Sequence, residues 1–237
     1  MTIKAITFDI DDTLWDNAPV MARLEPAHYQ WLDAQIHHAQ RVPLEEYMHR
    51  RQAFSEANPD VRGDHTEVRR RVLHQIVCEQ GVKEPLATQL TERAIHYMLA
   101  LRHQIEPYEE SEPLLEMLAQ HYPLAVITNG NVDIRRLPLG RHFDAIFNAG
   151  ELGMSKPLPK VFHAALAALG EDIRPEEAIH VGDSWAHDAL AAHNAGMKAA
   201  WIDVHDQRHE CPEGVYRLTH VRELPALLNQ LNNNKSL

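Results

Sequence analysis

The sequence predicts an α/β protein whose doubly wound parallel sheet is interrupted after its first strand by a block of helices. After Pro107, short apolar runs alternate with stretches of helical periodicity, which is the pattern of βαβ units. An apolar run of the same kind, residues 4–8, lies near the start of the chain, whereas residues 18–104 show helical periodicity and almost no strand signal. The first strand and the later ones therefore belong to one sheet, and the helical block is an insertion.

This pattern predicts two domains, an α/β core of residues 1–16 and 106–237 and a helical domain of residues 17–105. In the core, apolar and β-branched runs predict further strands at residues 124–128, 144–147, 178–181 and 198–202. Helical spacing between them predicts helices at residues 114–121, 160–169 and 186–195.

In the helical domain, four helices are expected. The first begins at the N-cap Asn17, tolerates Pro19 in its first turn and continues to Ile36. The other three are predicted at residues 44–57, 66–79 and 85–102. Three consecutive arginines, Arg69 to Arg71, are expected to include the solvated face of the third helix rather than a ligand clamp.

Composition limits the classes of partner. With 34 acidic and 23 basic side chains, the formal net charge is −11, which argues against a nucleic-acid-binding surface. The same charge repels phosphorylated ligands at long range. A phosphate site would therefore need a local positive field from lysine, a metal ion or helix N-termini.

Histidine and cysteine do not predict a zinc or disulfide framework. The 17 histidines are scattered, and Cys78 and Cys211 lie far apart. Cys78 is expected to be an inert core thiol on an apolar helix stripe. With neither a signal-peptide pattern nor an apolar run long enough to span a bilayer, we expect a cytoplasmic protein without a membrane partner.

The most informative motif follows the first strand directly. Asp9, Asp11 and Asp12 place three carboxylates after an apolar run, where burial without a partner is costly. They favour either a bound cation that offsets their negative charge or a catalytic role for the carboxylates at the carboxyl end of the strand. The alternative is a simple turn, with Thr13 as a helix cap.

Other polar residues follow the later strands. Thr128 and Asn129 end one apolar run, Asp183 ends another, and Asp188 and Lys156 lie in the connections. Each alone is compatible with a turn, a cap or a surface side chain. Their joint order along the chain is much more specific than any one of them.

These motifs resemble the haloacid dehalogenase-like hydrolases, and the match covers the whole chain. It consists of Asp9-x-Asp11-x-Thr13, Thr128, Lys156-Pro157 and Gly182-Asp183-x-x-x-x-Asp188. The resemblance implies a Rossmann-like catalytic core, with the insertion as the helical cap of the phosphatase-rich branch. The residues that flank the motifs are similar to those of bacterial phosphatases that act on 5-amino-6-(5-phospho-D-ribitylamino)uracil and FMN. Those phosphatases are linked to flavin biosynthesis. Asp12 departs from the pattern, because many members carry glycine there.

The resemblance also implies roles for individual residues in Mg²⁺-dependent hydrolysis of a small phosphorylated metabolite. Asp9 is the nucleophile that forms an aspartyl-phosphate, and Asp11 is the general acid and base. The Thr128 hydroxyl, the Asn129 backbone amide and the Lys156 ammonium bind the phosphate. Mg²⁺ is assigned to a carboxylate oxygen of Asp9, the backbone carbonyl of Asp11, and Asp183, while Asp188 orients a water or Lys156.

Three alternatives differ in what the core motifs would do. A sugar phosphomutase shares every core motif and differs in its cap. A catalytically silent phosphate-binding or signalling protein would retain the fold, but such proteins usually lose a motif and none is missing here. A dehalogenase is disfavoured by Asp11, because that branch lacks the second aspartate of the first motif.

Overall fold

The computed structural model describes residues 2–61 and 63–233 and confirms the predicted α/β fold class. Six strands form one sheet in the order β3-β2-β1-β4-β5-β6, and every neighbouring pair is parallel. The strands are β1 (Ala5–Phe8), β2 (Leu124–Thr128), β3 (Ala145–Asn148), β4 (Ala178–Gly182), β5 (Lys198–Ile202) and β6 (Val215–Leu218). The five predicted strands are present, and β6 is an additional edge strand.

Most helices also occur where periodicity predicts them. They are α1 (Ala18–Ile36), α2 (Leu44–Ala57), α3 (His65–Glu79), α4 (Leu86–Arg102), α5 (Ser111–Ala119), α6 (Ala149–Leu152), α7 (Pro159–Leu169), α8 (Leu190–Asn194) and α9 (Leu224–Asn233). The helix predicted at 186–195 is instead a π-type turn, Trp185–Ala189, followed by the short α8. Helices α6 and α9 were not predicted.

The chain divides into two compact units. One comprises Met1–Asp16, Glu106–Asn129 and Asp133–Leu237 and contains the sheet; we call it the α/β unit. The other comprises Asn17–Ile105 and Gly130–Val132 and contains α1 to α4; we call it the helical unit. Within the described residues, 2–61 and 63–233, none of the helices is both long and apolar enough to cross a membrane.

The register of the sheet brings three strand ends together. Phe8, the last residue of β1, lies opposite Val126 of β2 and Val181 of β4. Every residue of these three strands is buried, as expected for parallel strands covered on both faces. The residues that follow β1, β2 and β4 therefore meet at one edge, where open α/β sheets bind ligands.

The helical unit has its own apolar core. Its helices bury side chains at helical spacing, chiefly Leu24, Leu32, Tyr47, Val72, Leu73, Ile76, Val77, Leu90, Ala94 and Met98. One member of the arginine run departs from the expectation of a solvated face. Arg69 is buried and forms two hydrogen bonds with the carboxylate of Glu25, from Nη1 to Oε2 (3.0 Å) and from Nη2 to Oε1 (2.5 Å). The prediction failed because residue spacing cannot reveal a buried partner on another helix.

Two further expectations are wrong. Cys78 is exposed rather than part of the apolar core, because Val77 and Ile76 occupy the inward-facing positions of α3. Thr13 caps no helix, since α1 begins only at Ala18. Its buried Oγ1 has no hydrogen-bond partner among the described residues. Asp12 does form the expected turn, with a left-handed φ of 54° that aspartate tolerates better than most residues.

Candidate active site

Asp9 lies directly after β1, where its backbone and side chain are both held. Its N–H donates to the carbonyl oxygen of Val181 in β4 at 2.8 Å. Its carboxylate is buried, and Oδ1 accepts a hydrogen bond from Nζ of Lys156 at 2.6 Å. The carboxylate that the sequence predicts as the nucleophile is therefore fixed at the edge of the sheet with a cation in contact.

Lys156 is buried as well, and it touches two carboxylates. Besides Asp9, its Nζ donates to Oδ1 of Asp188 at 2.5 Å. The side chain of Asn129 holds the Lys156 backbone from both sides. Asn129 Oδ1 accepts from the Lys156 N–H (2.9 Å), and Asn129 Nδ2 donates to the Lys156 carbonyl oxygen (2.8 Å). Sequence reasoning singled out only the backbone amide of Asn129; its side chain anchors the lysine.

Asp188 reaches Lys156 because the π-type turn folds it back over the end of β4. Its Oδ2 accepts from the Ser184 N–H at 2.9 Å. A Cβ added to Gly182 would lie 2.3 Å from Cγ of Asp188, so a residue larger than glycine cannot occupy this position. The glycine of the Gly182-Asp183 motif therefore makes room for a carboxylate six residues later.

His180 belongs to the same network, although sequence reasoning missed it. It lies within β4 and is fully buried. Its Nε2 lies 3.0 Å from Oδ1 of Asp188, and its Nδ1 lies 2.8 Å from Oγ1 of Thr7 in β1. Burial lowers the pKa of His180, so we assign the neutral ring with Nε2–H donating to Asp188 and Nδ1 accepting from Thr7. The signal available in the sequence was a histidine inside an otherwise apolar strand.

Two more aspartates lie at this edge. Asp183 follows β4 directly, and its carbonyl oxygen accepts from the Trp201 indole at 2.8 Å. Asp11 is half-buried, and its Oδ1 accepts from Nε1 of the buried Trp15 at 3.0 Å. Thr128, the last residue of β2, is buried at the same edge. Each predicted site residue thus lies after β1, β2 or β4 or in a connection that returns to them.

The pKa values of the clustered aspartates depart from the ordinary value in opposite directions. Burial, reinforced by the carboxylates of Asp188 and Asp183, raises the pKa of Asp9 well above its usual value, although Lys156 opposes this. Burial and the neighbouring Asp188 raise the pKa of Asp183 to about 7. Burial acts on Asp188 too, yet Lys156 and His180 outweigh it and hold the pKa of Asp188 below its ordinary range. The cluster contains more negative charge than Lys156 can neutralise.

The donor set suits a hard divalent cation. Asp9, Asp183 and Asp188 each offer a carboxylate oxygen, and the three oxygens lie within 4.8 Å of one another. Oxygen donors of this kind are the ligands that Mg²⁺ prefers. Asp188 already accepts three hydrogen bonds, from Lys156, His180 and Ser184. Asp9 and Asp183 are therefore the better candidates for direct ligands.

Comparisons with known proteins identify the family of the chain. A family model described as haloacid dehalogenase-like hydrolase matches residues 3–196. The 5-amino-6-(5-phospho-D-ribitylamino)uracil phosphatase YigB of Escherichia coli K12 is 35% identical over 201 residues, which cover 84% of this chain and 83% of that protein. A glyceraldehyde 3-phosphate phosphatase of Methanothermobacter thermautotrophicus is 31% identical over 210 residues, which cover 85% of this chain and 86% of that protein.

A solved structure resembles the fold over nearly its whole length. The crystal structure of a protein named 2-haloacid dehalogenase, from Pseudomonas syringae pv. tomato DC3000, has a TM-score of 0.88 and 34% sequence identity. The superposition covers 97% of this chain and 99% of that one. The fold is thus shared by relatives whose names denote two reactions, phosphate-ester hydrolysis and dehalogenation.

Proposed function

The chain belongs to the haloacid dehalogenase-like hydrolase family and is a phosphatase, and we propose that it hydrolyses a small phosphorylated metabolite with Mg²⁺ through a phosphorylated Asp9. The predictions of family and enzyme class made from the sequence are thereby confirmed. The metal, the covalent intermediate and the roles of the site residues are proposals. The observation that carries them is the buried contact of Asp9 with Lys156 inside a cluster of carboxylates.

Asp9 is proposed to attack the phosphorus atom in line with the ester oxygen. The bond between phosphorus and the ester oxygen breaks as a bond to a carboxylate oxygen of Asp9 forms, which leaves an aspartyl-phosphate and an alkoxide. The Lys156 ammonium, held by Asp188 and Asn129, is proposed to stabilise the negative charge that accumulates on the phosphoryl oxygens. This contact supports an electrostatic role for Lys156.

Asp11 is proposed to move protons. It would protonate the departing alkoxide and then accept a proton from the water that attacks the aspartyl-phosphate, which releases phosphate and restores Asp9. The hydrogen bond from the Trp15 indole gives the carboxylate of Asp11 a defined orientation. A carboxylate placed two residues after the nucleophile can thus act on the leaving oxygen without competing for the phosphorus atom.

Mg²⁺ is proposed to bind a carboxylate oxygen of Asp9, the backbone carbonyl of Asp11, and Asp183. When bound, the ion supplies positive charge that offsets the excess of carboxylates and the charge of the phosphoryl oxygens. The Thr128 hydroxyl and the Asn129 backbone amide are proposed to donate hydrogen bonds to those oxygens. Their place at the end of β2, beside the end of β1, supports this role.

His180 is proposed to be a positioning residue. Its Nε2–H and the Lys156 ammonium donate to the same oxygen of Asp188, so the ring fixes the carboxylate that in turn holds the lysine. Thr7 completes the chain by holding Nδ1. Partners of this kind outside the reacting groups typically alter activity by about 10- to 100-fold when removed.

The substrate proposed first is 5-amino-6-(5-phospho-D-ribitylamino)uracil, with FMN second, because YigB bears the former name. The helical unit is proposed to act as the cap that selects the leaving group, within a catalytic core of residues 1–16 and 106–237 and a cap of residues 17–105. Exchanging residues 17–105 for the matching segment of a relative with another named substrate should then transfer the substrate ranking. An unchanged ranking would contradict the cap proposal.

The direct test is phosphate release by metal-stripped protein, with and without added Mg²⁺. The substrates are ribitylaminouracil phosphate, FMN, glyceraldehyde 3-phosphate, a sugar phosphate and a chlorinated 2-haloacid. Mg²⁺-dependent phosphate release that EDTA abolishes, with ribitylaminouracil phosphate as the best substrate, is the expected result. Turnover in EDTA would refute the metal proposal, isomerised sugar phosphate would indicate a mutase, and chloride release would indicate a dehalogenase.

A further inference from the structure

Three side chains with different donor atoms meet on the surface of the helical unit. His74 and Cys78 are four residues apart on α3, so they project from the same face of the helix. Glu84 comes from the segment that leads into α4. The Cys78 sulfur lies 3.9 Å from Nδ1 and 4.0 Å from Nε2 of His74, and Nε2 lies 2.5 Å from Oε1 of Glu84.

Glu84 is oriented by a residue on the other side of its carboxylate. Its Oε2 accepts hydrogen bonds from the Thr88 hydroxyl (2.8 Å) and the Thr88 N–H (3.2 Å). The remaining oxygen, Oε1, therefore faces His74. Hydrogen bonding of a carboxylate by a neighbouring residue in this way is typical of protein ligands to metal ions.

The helix that carries two of these side chains is anchored by packing. The opposite face of α3 is packed into the core of the helical unit through Leu73, Ile76 and Val77. The chain reverses after α3 at Gly81, whose φ of 86° is in the left-handed region that glycine favours. The positions of the three donors are thus set by the backbone, while the side chains stay accessible to solvent.

We propose that Nε2 of His74, Sγ of Cys78 and Oε1 of Glu84 form a binding site for a Zn²⁺-class transition-metal ion. A thiolate and an imidazole favour Zn²⁺ or Co²⁺ over hard ions such as Mg²⁺, which prefer oxygen donors. Tetrahedral zinc geometry requires about 3.5 Å between nitrogen and sulfur ligands. The 4.0 Å between His74 and Cys78 is close to that separation.

Binding requires three changes. The Cys78 thiol loses its proton to solvent, and the proton that Nε2 of His74 donates to Glu84 is also lost or moves to Nδ1. The distance between Nε2 of His74 and Oε1 of Glu84 then opens by about 1 Å to the ligand separation of a tetrahedral site. Cys78 and Glu84 are exposed, which leaves room for water to complete the coordination.

Titration of the reduced full-length protein with Co²⁺ tests the site, because a thiolate ligand produces a sulfur-to-cobalt charge-transfer absorption band. We expect the band to rise to saturation, even if the oxygen ligands around Asp9 also take up Co²⁺, and to bleach when Zn²⁺ is added. The oxygen-only cluster around Asp9 cannot produce this band. Cys211→Ser is the matched control and should retain the band, because Cys211 lies outside the cluster.

Three variants decide the ligand set, and circular dichroism reports whether each one folds. Cys78→Ser should abolish the band, and His74→Gln and Glu84→Gln should each weaken Co²⁺ binding by about tenfold or more. A band that survives in Cys78→Ser, the absence of a band in the unaltered protein, or unchanged affinity in both His74→Gln and Glu84→Gln would each overturn the proposal. The readout is independent of phosphatase activity.

Discussion

The two units each bury a charged network, and the networks are opposite in composition. In the α/β unit, the carboxylates of Asp9 and Asp188 contact the ammonium of Lys156, and the carboxylate of Asp183 lies beside them. In the helical unit, the single carboxylate of Glu25 accepts from the guanidinium groups of Arg69 and Arg51. One network has too many anions for its cation, and the other has two cations for one anion.

The pKa values reflect this difference. Burial raises the pKa of Glu25, but the two arginines outweigh it and lower the pKa below its usual value. The excess positive charge can reach solvent, since the Arg51 side chain is 17% exposed and stacks on Tyr47. In the α/β unit, Asp9 and Asp183 instead have raised pKa values. The network whose excess charge reaches solvent is expected to stabilise the fold, whereas the network with buried, unneutralised carboxylates is suited to bind a cation and to react.

The largest expected effect is on activity, and it follows from an isosteric change in the network of the α/β unit. Asp9→Asn removes the nucleophile and should lower kcat by about 10⁴-fold or more. Because the change also relieves repulsion among carboxylates, the thermal midpoint of the metal-free protein should not fall. Steady-state phosphate release and thermal unfolding measure both quantities, and retained turnover would refute the role of Asp9.

The same kind of change, from carboxylate to amide, in the network of the helical unit should affect stability instead of activity. Glu25→Gln leaves Arg69 buried without a charged partner, so the free energy of unfolding should fall by about 3–5 kcal/mol. Glu46→Gln is the matched control in the same unit, because Glu46 pairs with Arg50 at an exposed site. Urea denaturation should show little or no change in the free energy of unfolding for that control, because solvent screens an exposed ion pair. Equal losses in the two variants would remove the distinction between the networks.

His180 provides a smaller effect and tests whether the network extends beyond the reacting groups. His180→Leu removes the donor to Asp188 and should lower kcat by about 10- to 100-fold with little change in KM. His180→Gln can still donate from its amide to Asp188 and should recover part of that loss. If both variants lose the same activity, the hydrogen bond is not the reason for the effect.

The last expected effect is a pH dependence in the helical unit. His28 is buried, and burial together with the nearby Arg69 lowers its pKa to about 3. Because the unfolded histidine still binds a proton at higher pH, His28 stabilises the fold fully above about pH 6.5. That contribution is lost as the pH falls from 6.5 towards 3, by up to about 1.4 kcal/mol per pH unit.

A variant isolates this contribution from the other titrating groups. His28→Asn retains an acceptor for Arg69, which donates to Nδ1 of His28 at 3.2 Å, but it does not titrate. Its free energy of unfolding between pH 6 and pH 4 should depend less steeply on pH than that of the unaltered protein. Parallel curves would show that His28 does not contribute.

Secondary structure was predictable wherever apolar residues recur with a clear period. Helix α2 and strand β2 begin and end at the predicted residues, because their apolar spacing and flanking breakers are local signals. The π-type turn at Trp185–Ala189 was taken for part of one helix, since apolar spacing over five residues does not distinguish i to i+5 from i to i+4 bonding. Edge strand β6 was missed, because it has only four residues and the exposed Arg217 interrupts its apolar pattern.

The sequence by itself determined the fold class, the family and the set of candidate residues, because these depend on residue types in a fixed order along the chain. Only the tertiary structure decided which charges meet. It showed that Lys156 bridges Asp9 and Asp188, that His180 supports Asp188, and that Arg69 is turned inward to Glu25. It also brought His74, Cys78 and Glu84 together. The physical reason is that hydrogen bonds and ion pairs depend on distances of a few ångströms between residues far apart in sequence, which neither periodicity nor motif spacing encodes.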